Sequence, residues 1–336
     1  MTFHPAQQNQ ALRKLQNTFP LVERPFAAVA DAIGVSEEDL LKWVSDQLHS
    51  GLIRRFGASF NSRAMGYTSV LIATAVWPEK LETVATFINR NPGVTHNYER
   101  FHQFNLWFTL TALSETSIDL FLQEVRAQQG VTDLLKLPAL QYYKLNVALD
   151  PETGENRALD RSNPVPVSIQ SFSPKEKALI RLLQKQMPLC SRPFQKIGQL
   201  AGFSESEVLG LISHWKKTGV LRKLGLVLNH RRAGVTANAL VVWRVPERKS
   251  REIGEKMASF PQVSHCYRRL TYPHWPYSHY TMIHAGTEQK LEAVIQAISG
   301  ETDLRDFVVL KSGREFKKVG MRYFEEETSL SSVGVG

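Results

Sequence analysis

The chain has 336 residues, 43% of them hydrophobic, and its two cysteines, Cys190 and Cys266, lie far apart. That is enough material for two or more packed domains, and too few thiols for a disulfide framework, a four-cysteine zinc site or an iron–sulfur cluster. Lysine and arginine outnumber aspartate and glutamate by 41 to 32, a formal charge of +9 that favours a polyanionic partner, nucleic acid or an acidic small molecule. With no apolar run of membrane-spanning length and no secretory leader pattern, a soluble cytoplasmic protein without a membrane partner is expected.

In chain order, "RPFAAVADAIGVSEEDLLKWVSDQLHSGLIRRFG" shows apolar residues at helical spacing, a glycine turn, Ser36 as N-cap and a second helix to about Leu48. This is helix-turn-helix spacing with a short strand or wing after it. A strand "TSVLIATAVW", a helix "PEKLETVATFINRNPG", two strands around "HNYERFHQFNLWFT", a helix "SETSIDLFLQEVRAQQG" and a strand "VTDLLKLPALQYYKL" follow. The order βαββαβ predicts a ferredoxin-like sandwich, an antiparallel sheet with helices on one face and the other face available for pairing or a ligand.

The pattern is then repeated. "PLVERPF" at Pro20 recurs as "PLCSRPF" at Pro188 and "GLIRRFG" at Gly51 as "GVLRKLG" at Gly219, both at an offset of 168, and "PGVTHNYER" at Pro92 lies over "PQVSHCYRR" at Pro261 at 169. Two copies at so long a period predict a tandem pair, not a solenoid. The expected class is α+β, with a helix-turn-helix unit over 1–66, a ferredoxin-like domain over 67–149, a polar linker over 150–172, a second helix-turn-helix over 173–234, a second ferredoxin-like domain over 235–328 and a tail over 329–336. The two halves are expected to pair as an internal pseudo-dimer, with room for further homodimerisation.

This order of elements resembles the Lrp/AsnC transcription regulators. The groove-entering turns nevertheless argue against DNA as a partner: "SEEDLLKWVSDQL" carries four acids and one lysine, and "SESEVLGLISHWKKTG" also opens with two glutamates, which duplex phosphates repel. Acids in a first turn have an ordinary use in favouring the helix dipole.

At the strand period of two, His96, Tyr98, Arg100 and His102 share one face, continued by Phe104, Leu106 and Phe108. A turn near Gln103 is the point at which His102 could leave that face, and Phe104, Trp107 and Phe108 read as core. The second copy repeats His265, Tyr267 and Arg269, then diverges into "LTYPHWPYSHYTMIHA". There Pro273 and Pro276 predict a rigid aromatic loop whose Tyr272, Trp275 and Tyr277 could wall a flat apolar ligand.

The motifs "HNYERFHQFNLWFT" and "CYRRLTYPHWPYSHYTMIHA" closely resemble those of the siroheme decarboxylases, Lrp/AsnC-like proteins found as two related subunits or as their fusion, and this chain looks like the fused form. The resemblance implies removal of two acetate carboxyl groups from siroheme, giving 12,18-didecarboxysiroheme for heme d1 or an alternative heme route. It implies no cofactor beyond the iron tetrapyrrole substrate and no separate metal site. On that reading His96 and His102 are general acids or orienting groups, with ligation of the ring iron as the alternative, Arg100 anchors a carboxylate and Tyr98 supports it. His265, Tyr267 and Arg269 are their counterparts, and Arg54, Arg55, Arg63, Arg222 and Arg231 are candidates for the carboxylate rim. A tetrapyrrole-responsive regulator is the competing reading, and a non-catalytic tetrapyrrole carrier is a third.

Overall fold

The computed structural model describes residues 3–145, 168–228 and 237–325. Arg231, the linker as far as 167 and the tail from 329 lie outside the described residues. The first half runs α1 (Pro5–Asn17), α2 (Pro25–Ile33), α3 (Glu37–His49), β1 (Ile53–Phe60), β2 (Thr68–Val76), α4 (Leu81–Arg90), β3 (Val94–Arg100), β4 (Leu106–Ala112), α5 (Glu115–Arg126) and β5 (Val131–Leu145). The second repeats it as α6 (Pro174–Leu183), α7 (Pro193–Ala201), α8 (Glu205–Lys217), β6 (Leu221–Leu228), β7 (Ala237–Trp243), α9 (Ser250–Ser259), β8 (Val263–Arg269), β9 (His279–Ala285), α10 (Glu288–Thr302) and β10 (Phe307–Lys318).

Two compact units result. The described parts of Met1–Gly66, Pro166–Ala233 and Arg322–Gly336 form one, and those of Tyr67–Val165 and Gly234–Met321 the other. In the first, Ser36 accepts from the Asp39 N–H and Ser204 from the Glu207 N–H, so both second helices start where the sequence places them. The periodicity reading did not anticipate α1 and α6. Helix α1 is mostly polar and buries only one narrow stripe, Ala11, Leu12 and Leu15 beside Gln16, with His4 as its N-cap. Strands β1 and β6 pair antiparallel with Gly57 opposite Gly225. A Cβ on Gly57 would strike the Lys185 carbonyl and one on Gly225 the Leu15 carbonyl. Strand β6 therefore lies close under the end of α1 and β1 close under the turn that ends α6, each from the opposite half, which is why both "RRFG" and "RKLG" end on glycine.

The second unit departs from two separate sheets. Its eight strands close into one antiparallel barrel in the order β10-β3-β4-β2-β5-β8-β9-β7. Strand β5 pairs with β2 up to Pro138 and then with β8, while β10 pairs with β7 up to Lys311 and then with β3. The end strands thus cross between halves. Tyr143 of β5 packs in the second half's core and Phe316 of β10 in the first half's. Lys144 donates to the Phe260 carbonyl at 2.9 Å and Lys317 to those of Asn89 and Asn91 at 2.7 and 3.0 Å, each lysine satisfying a helix C-terminus of the other copy.

Helices α4 and α5 cover one face of the first sheet through Leu81, Val84, Ile88, Ile118 and Leu122 against Ile72, Leu106, Phe108 and Leu110. Helices α9 and α10 repeat this on the second sheet. The inner faces, free in an isolated ferredoxin-like domain, meet in a third cluster of Ala73, Phe104, Trp107, Leu135, Leu137, Val242, Trp275, Tyr280 and Leu310.

Candidate active site

Register decides which side the histidines face. Val94 stands opposite Leu110, but a shift before His96 puts His96 opposite Thr109 and Tyr98 opposite Trp107, while Asn97 and Glu99 oppose Phe108 and Leu106. Directly opposed residues share a face, so the bulge leaves Val94 with the helices and turns His96 and Tyr98 to the Trp107 side, inside the barrel. The second copy has the same shift between Val263 and His265, which places Tyr267 opposite Tyr280.

Within the first set, His96 Nδ1 lies 3.0 Å from Thr95 Oγ1, and its ring stacks on Tyr98 at 6.3 Å. The Tyr98 hydroxyl donates to Glu315 at 3.3 Å. Arg100 is only 5% exposed, its guanidinium 5.4 Å from the Tyr98 ring, with Nη1 donating to the Leu310 carbonyl at 3.0 Å and to the Ser312 hydroxyl. Its Nε has no partner, and among the described residues no carboxylate pairs with it. Burial pulls its pKa down to about 10. A buried guanidinium with an open donor and no counter-charge is costly unless an anion completes it.

His102 lies beyond the end of β3, where the chain bends. Its N–H returns to the Arg100 carbonyl, its Nδ1 accepts from the Phe104 N–H at 3.1 Å, and its ring lies against Phe104 and edge-on to Trp275, 5.5 Å away. Burial lowers its pKa. Because a backbone N–H can only donate, Nδ1 must carry a lone pair, which leaves the neutral ring's proton on Nε2. The turn therefore removes His102 from the strand without sending it to solvent.

In the second set, His265 Nδ1 meets Ser264 Oγ at 2.9 Å, and Arg269 donates to the Leu137 carbonyl at 2.7 Å with its guanidinium over Tyr267 and Tyr280. Its Nε too is unpartnered, and burial lowers its pKa. The loop after it, expected as a rigid aromatic wall, is tied to its surroundings at several points. Tyr272 and Trp275 bridge backbone to backbone, the Tyr272 hydroxyl holds the Lys136 carbonyl, His274 reaches Asp133 at 3.1 Å, and Tyr277 is half-buried. Trp275 itself is 1% exposed, its indole N–H donating to the Tyr280 hydroxyl at 2.7 Å. It is a plug in the barrel core and not a wall, because Phe104, Trp107 and Tyr280 leave an apolar space that an indole fills.

The arginines Arg54, Arg55, Arg63 and Arg222 belong to the helix-turn-helix unit. Arg55 is committed to Ala58, Gln184 and Ser59, and Arg222 donates to Asn61. The first-turn acids of α3 and α8 are also engaged: Arg24 and Ser191 bind Glu37, and Arg192 binds both Glu205 and Glu23. Sequence reasoning missed His279, wholly buried between Ser278 and Ser250, and His284, which reaches Ser264 at 3.0 Å. Strand alternation around "SHYTMIHA" was the available signal. No group of three or more metal-ligating side chains occurs among the described residues.

Comparison with known proteins fits this layout. The pattern of the AsnC-like ligand binding domain matches residues 64–144 and 232–317, and that of the siroheme decarboxylase NirDL-like HTH domain matches 8–54 and 176–222. A siroheme decarboxylase of Hydrogenobacter thermophilus is 38% identical over 324 residues, covering 95% of each chain. The chain belongs to the siroheme decarboxylase family. Both patterns occur twice, as the fused form requires, and a siroheme decarboxylase beta subunit from Methanosarcina barkeri, 41% identical, aligns over 95% of its own length with 43% of this chain. The crystal structure of the siroheme decarboxylase NirDL in complex with an iron-uroporphyrin III analogue superposes with a TM-score of 0.73 at 34% identity, covering 97% of both chains. No helix of the described residues is long and apolar enough to cross a membrane.

Proposed function

We propose that this chain decarboxylates siroheme, converting two ring acetates to methyl groups and giving 12,18-didecarboxysiroheme. The observation that carries the reading at the site is Arg100: a buried guanidinium with an open Nε and, among the described residues, no carboxylate partner, on the strand that carries His96. Each event replaces carbon dioxide by a proton: R–CH2–COO⁻ plus H⁺ gives R–CH3 plus CO2. The electron pair of the broken C–C bond is received by the macrocycle, and the residues must grip the carboxylate and supply the proton.

The two imidazoles suit different parts of this. His96 Nδ1 faces a hydroxyl, which accepts from an imidazolium as readily as it donates to a neutral ring, so His96 can hold and release a proton and is the general acid. The Phe104 N–H and burial both oppose charging of His102, making it a neutral Nε2–H donor that orients the substrate. The same geometry disfavours Nε2 of His102 as a ligand of the substrate iron, since ligation needs the proton on Nδ1. Arg100 anchors a carboxylate and Tyr98 supports it, while His265, Tyr267 and Arg269 hold the other side of the substrate. Where the first half has His102 beyond the shared strand the second has Thr271, and the second half's later histidines are engaged elsewhere, His274 with Asp133, His279 with Ser250 and His284 with Ser264, so the first half is the working copy.

No cofactor beyond the substrate takes part in this scheme. The regulator reading is weakened by the acids Glu37, Glu38, Asp39, Glu205 and Glu207 in the first turns that would enter a DNA groove. The test is anaerobic incubation with siroheme followed by mass spectrometry of the pigment. Loss of two carbon dioxides is expected. An unchanged mass removes the proposal, and salt-sensitive, ligand-dependent binding to a specific duplex would install the regulator instead.

A further inference from the structure

A small cleft of about 70 Å³ lies in the helix-turn-helix unit between the segment after α1, the last turn of α8 and the start of β6. Phe19, Leu21 and Leu224 supply apolar wall, exposed Lys216 and Arg222 stand at its rim, and the partly buried Lys223 lines it. Among the described residues the Lys223 ammonium has neither a hydrogen bond nor an ion pair, and desolvation pulls its pKa down to about 8. Its equivalent in the first half shows that the position does not require this. Arg55, at the offset of 168, donates to the Ala58 and Gln184 carbonyls and the Ser59 hydroxyl. Where the first copy has a structural cation held by three hydrogen bonds, the second has an unbonded amine lining a cleft.

The cleft has room for roughly two waters at ~30 Å³ each, too little for a metabolite. Its apolar wall admits a small neutral molecule, the amine is a nucleophile when unprotonated, and the rim cations stabilise a negative product. We propose that Lys223 is a carbamylation site for carbon dioxide. The ammonium first loses a proton to solvent. The nitrogen lone pair then forms the N–C bond, one C=O π pair moves onto oxygen, and the second nitrogen proton leaves to solvent, giving Nζ–COO⁻. The amine becomes a carboxylate in a cleft that Lys216 and Arg222 also line. The proposal draws on the decarboxylase reading only for a local source of carbon dioxide, and dissolved gas tests it independently.

The full chain is equilibrated with carbon-13-labelled bicarbonate near the pKa of Lys223, trapped with triethyloxonium ion, digested and analysed by mass spectrometry. A labelled ethoxycarbonyl group on Lys223 is expected at about tenfold or more the occupancy of any other lysine, since ordinary lysines titrate about two units higher. It should vanish in Lys223→Arg, a change that Arg55 shows this fold accepts. The chain's α-amino group, with a pKa of about 8, is the internal control for trapping. Label on the α-amino group but none on Lys223, or equal label over all lysines, overturns the proposal.

Discussion

The strands β3 and β8 begin alike and end differently. Both carry His, Tyr and Arg behind the same bulge, and both arginines sit inside the barrel bonded to a carbonyl, with Nε open. Beyond the arginine, the first half turns at once and places His102 against Phe104, whereas the second inserts the loop that drives Trp275 into the core beside that same His102. The first copy thus supplies His102 and the second supplies the indole that packs against it. Duplication gave two equal starting sets, and divergence gave complementary parts.

The sharpest break of this comparison is a pair of single variants. His96→Ala should lower turnover by about 10²–10⁴-fold, the range for a lost general acid, while His265→Ala changes it by less than about tenfold. Equal losses in single-turnover assays would mean that both copies work. Trp275→Ala should destabilise by about 3–5 kcal/mol in urea unfolding, whereas Trp275→Phe should be milder, and its effect on turnover reports how far the indole positions His102. A stability unchanged in the alanine variant would contradict the buried plug.

A third contrast concerns the helix-facing side. His279, opposite Arg268, occupies the register place that Leu106 fills opposite Glu99. Desolvation pushes the buried His279 from 6.5 down to about 4. The unfolded chain therefore binds more protons than the folded one in that window, so stability is full above 6.5 and is lost as pH falls toward 4, by on the order of 3 kcal/mol. In His279→Gln the thermal midpoint should depend less on pH over the same range; an unaltered slope would exclude His279 as its source. The smallest effect is expected from Arg100→Lys, with siroheme affinity falling about tenfold while Arg269→Lys falls less, as a lysine keeps the charge but not the fork. Spectroscopic titration would show the difference, and equal losses would place both arginines on the substrate alike.

Much of this was legible in one sequence because it is local. The repeat, the helix boundaries set by Ser36 and Ser204, and the His–Tyr–Arg face all follow from spacing and side-chain chemistry. The face survived for a reason alternation does not contain, since a bulge moved Val94 to the helix side and left His96 and Tyr98 inside. Helix α1 was overlooked because little of its surface is apolar, and its narrow stripe is buried where it lies on the opposite half's wing strand, while α6, ten residues with Leu179, Ile180 and Leu183 buried, was simply not read from its spacing. Tyr143 and Lys144, without a role at the level of sequence, pack on and bond to the second half's α9, and their counterparts Phe316 and Lys317 do the same for α4.

The sequence by itself determined the two-copy organisation, the family and the residues able to grip carboxylates and move protons, because those depend on periodicity and on what each side chain is. Tertiary structure alone decided that two sheets close into one barrel by exchanging their end strands, that Trp275 is core and not wall, and that among the described residues Arg100 has no counter-charge while Arg55 does not lack acceptors. Those outcomes depend on which groups distant parts of the chain bring within bonding range, and burial makes each unmatched charge or filled space count.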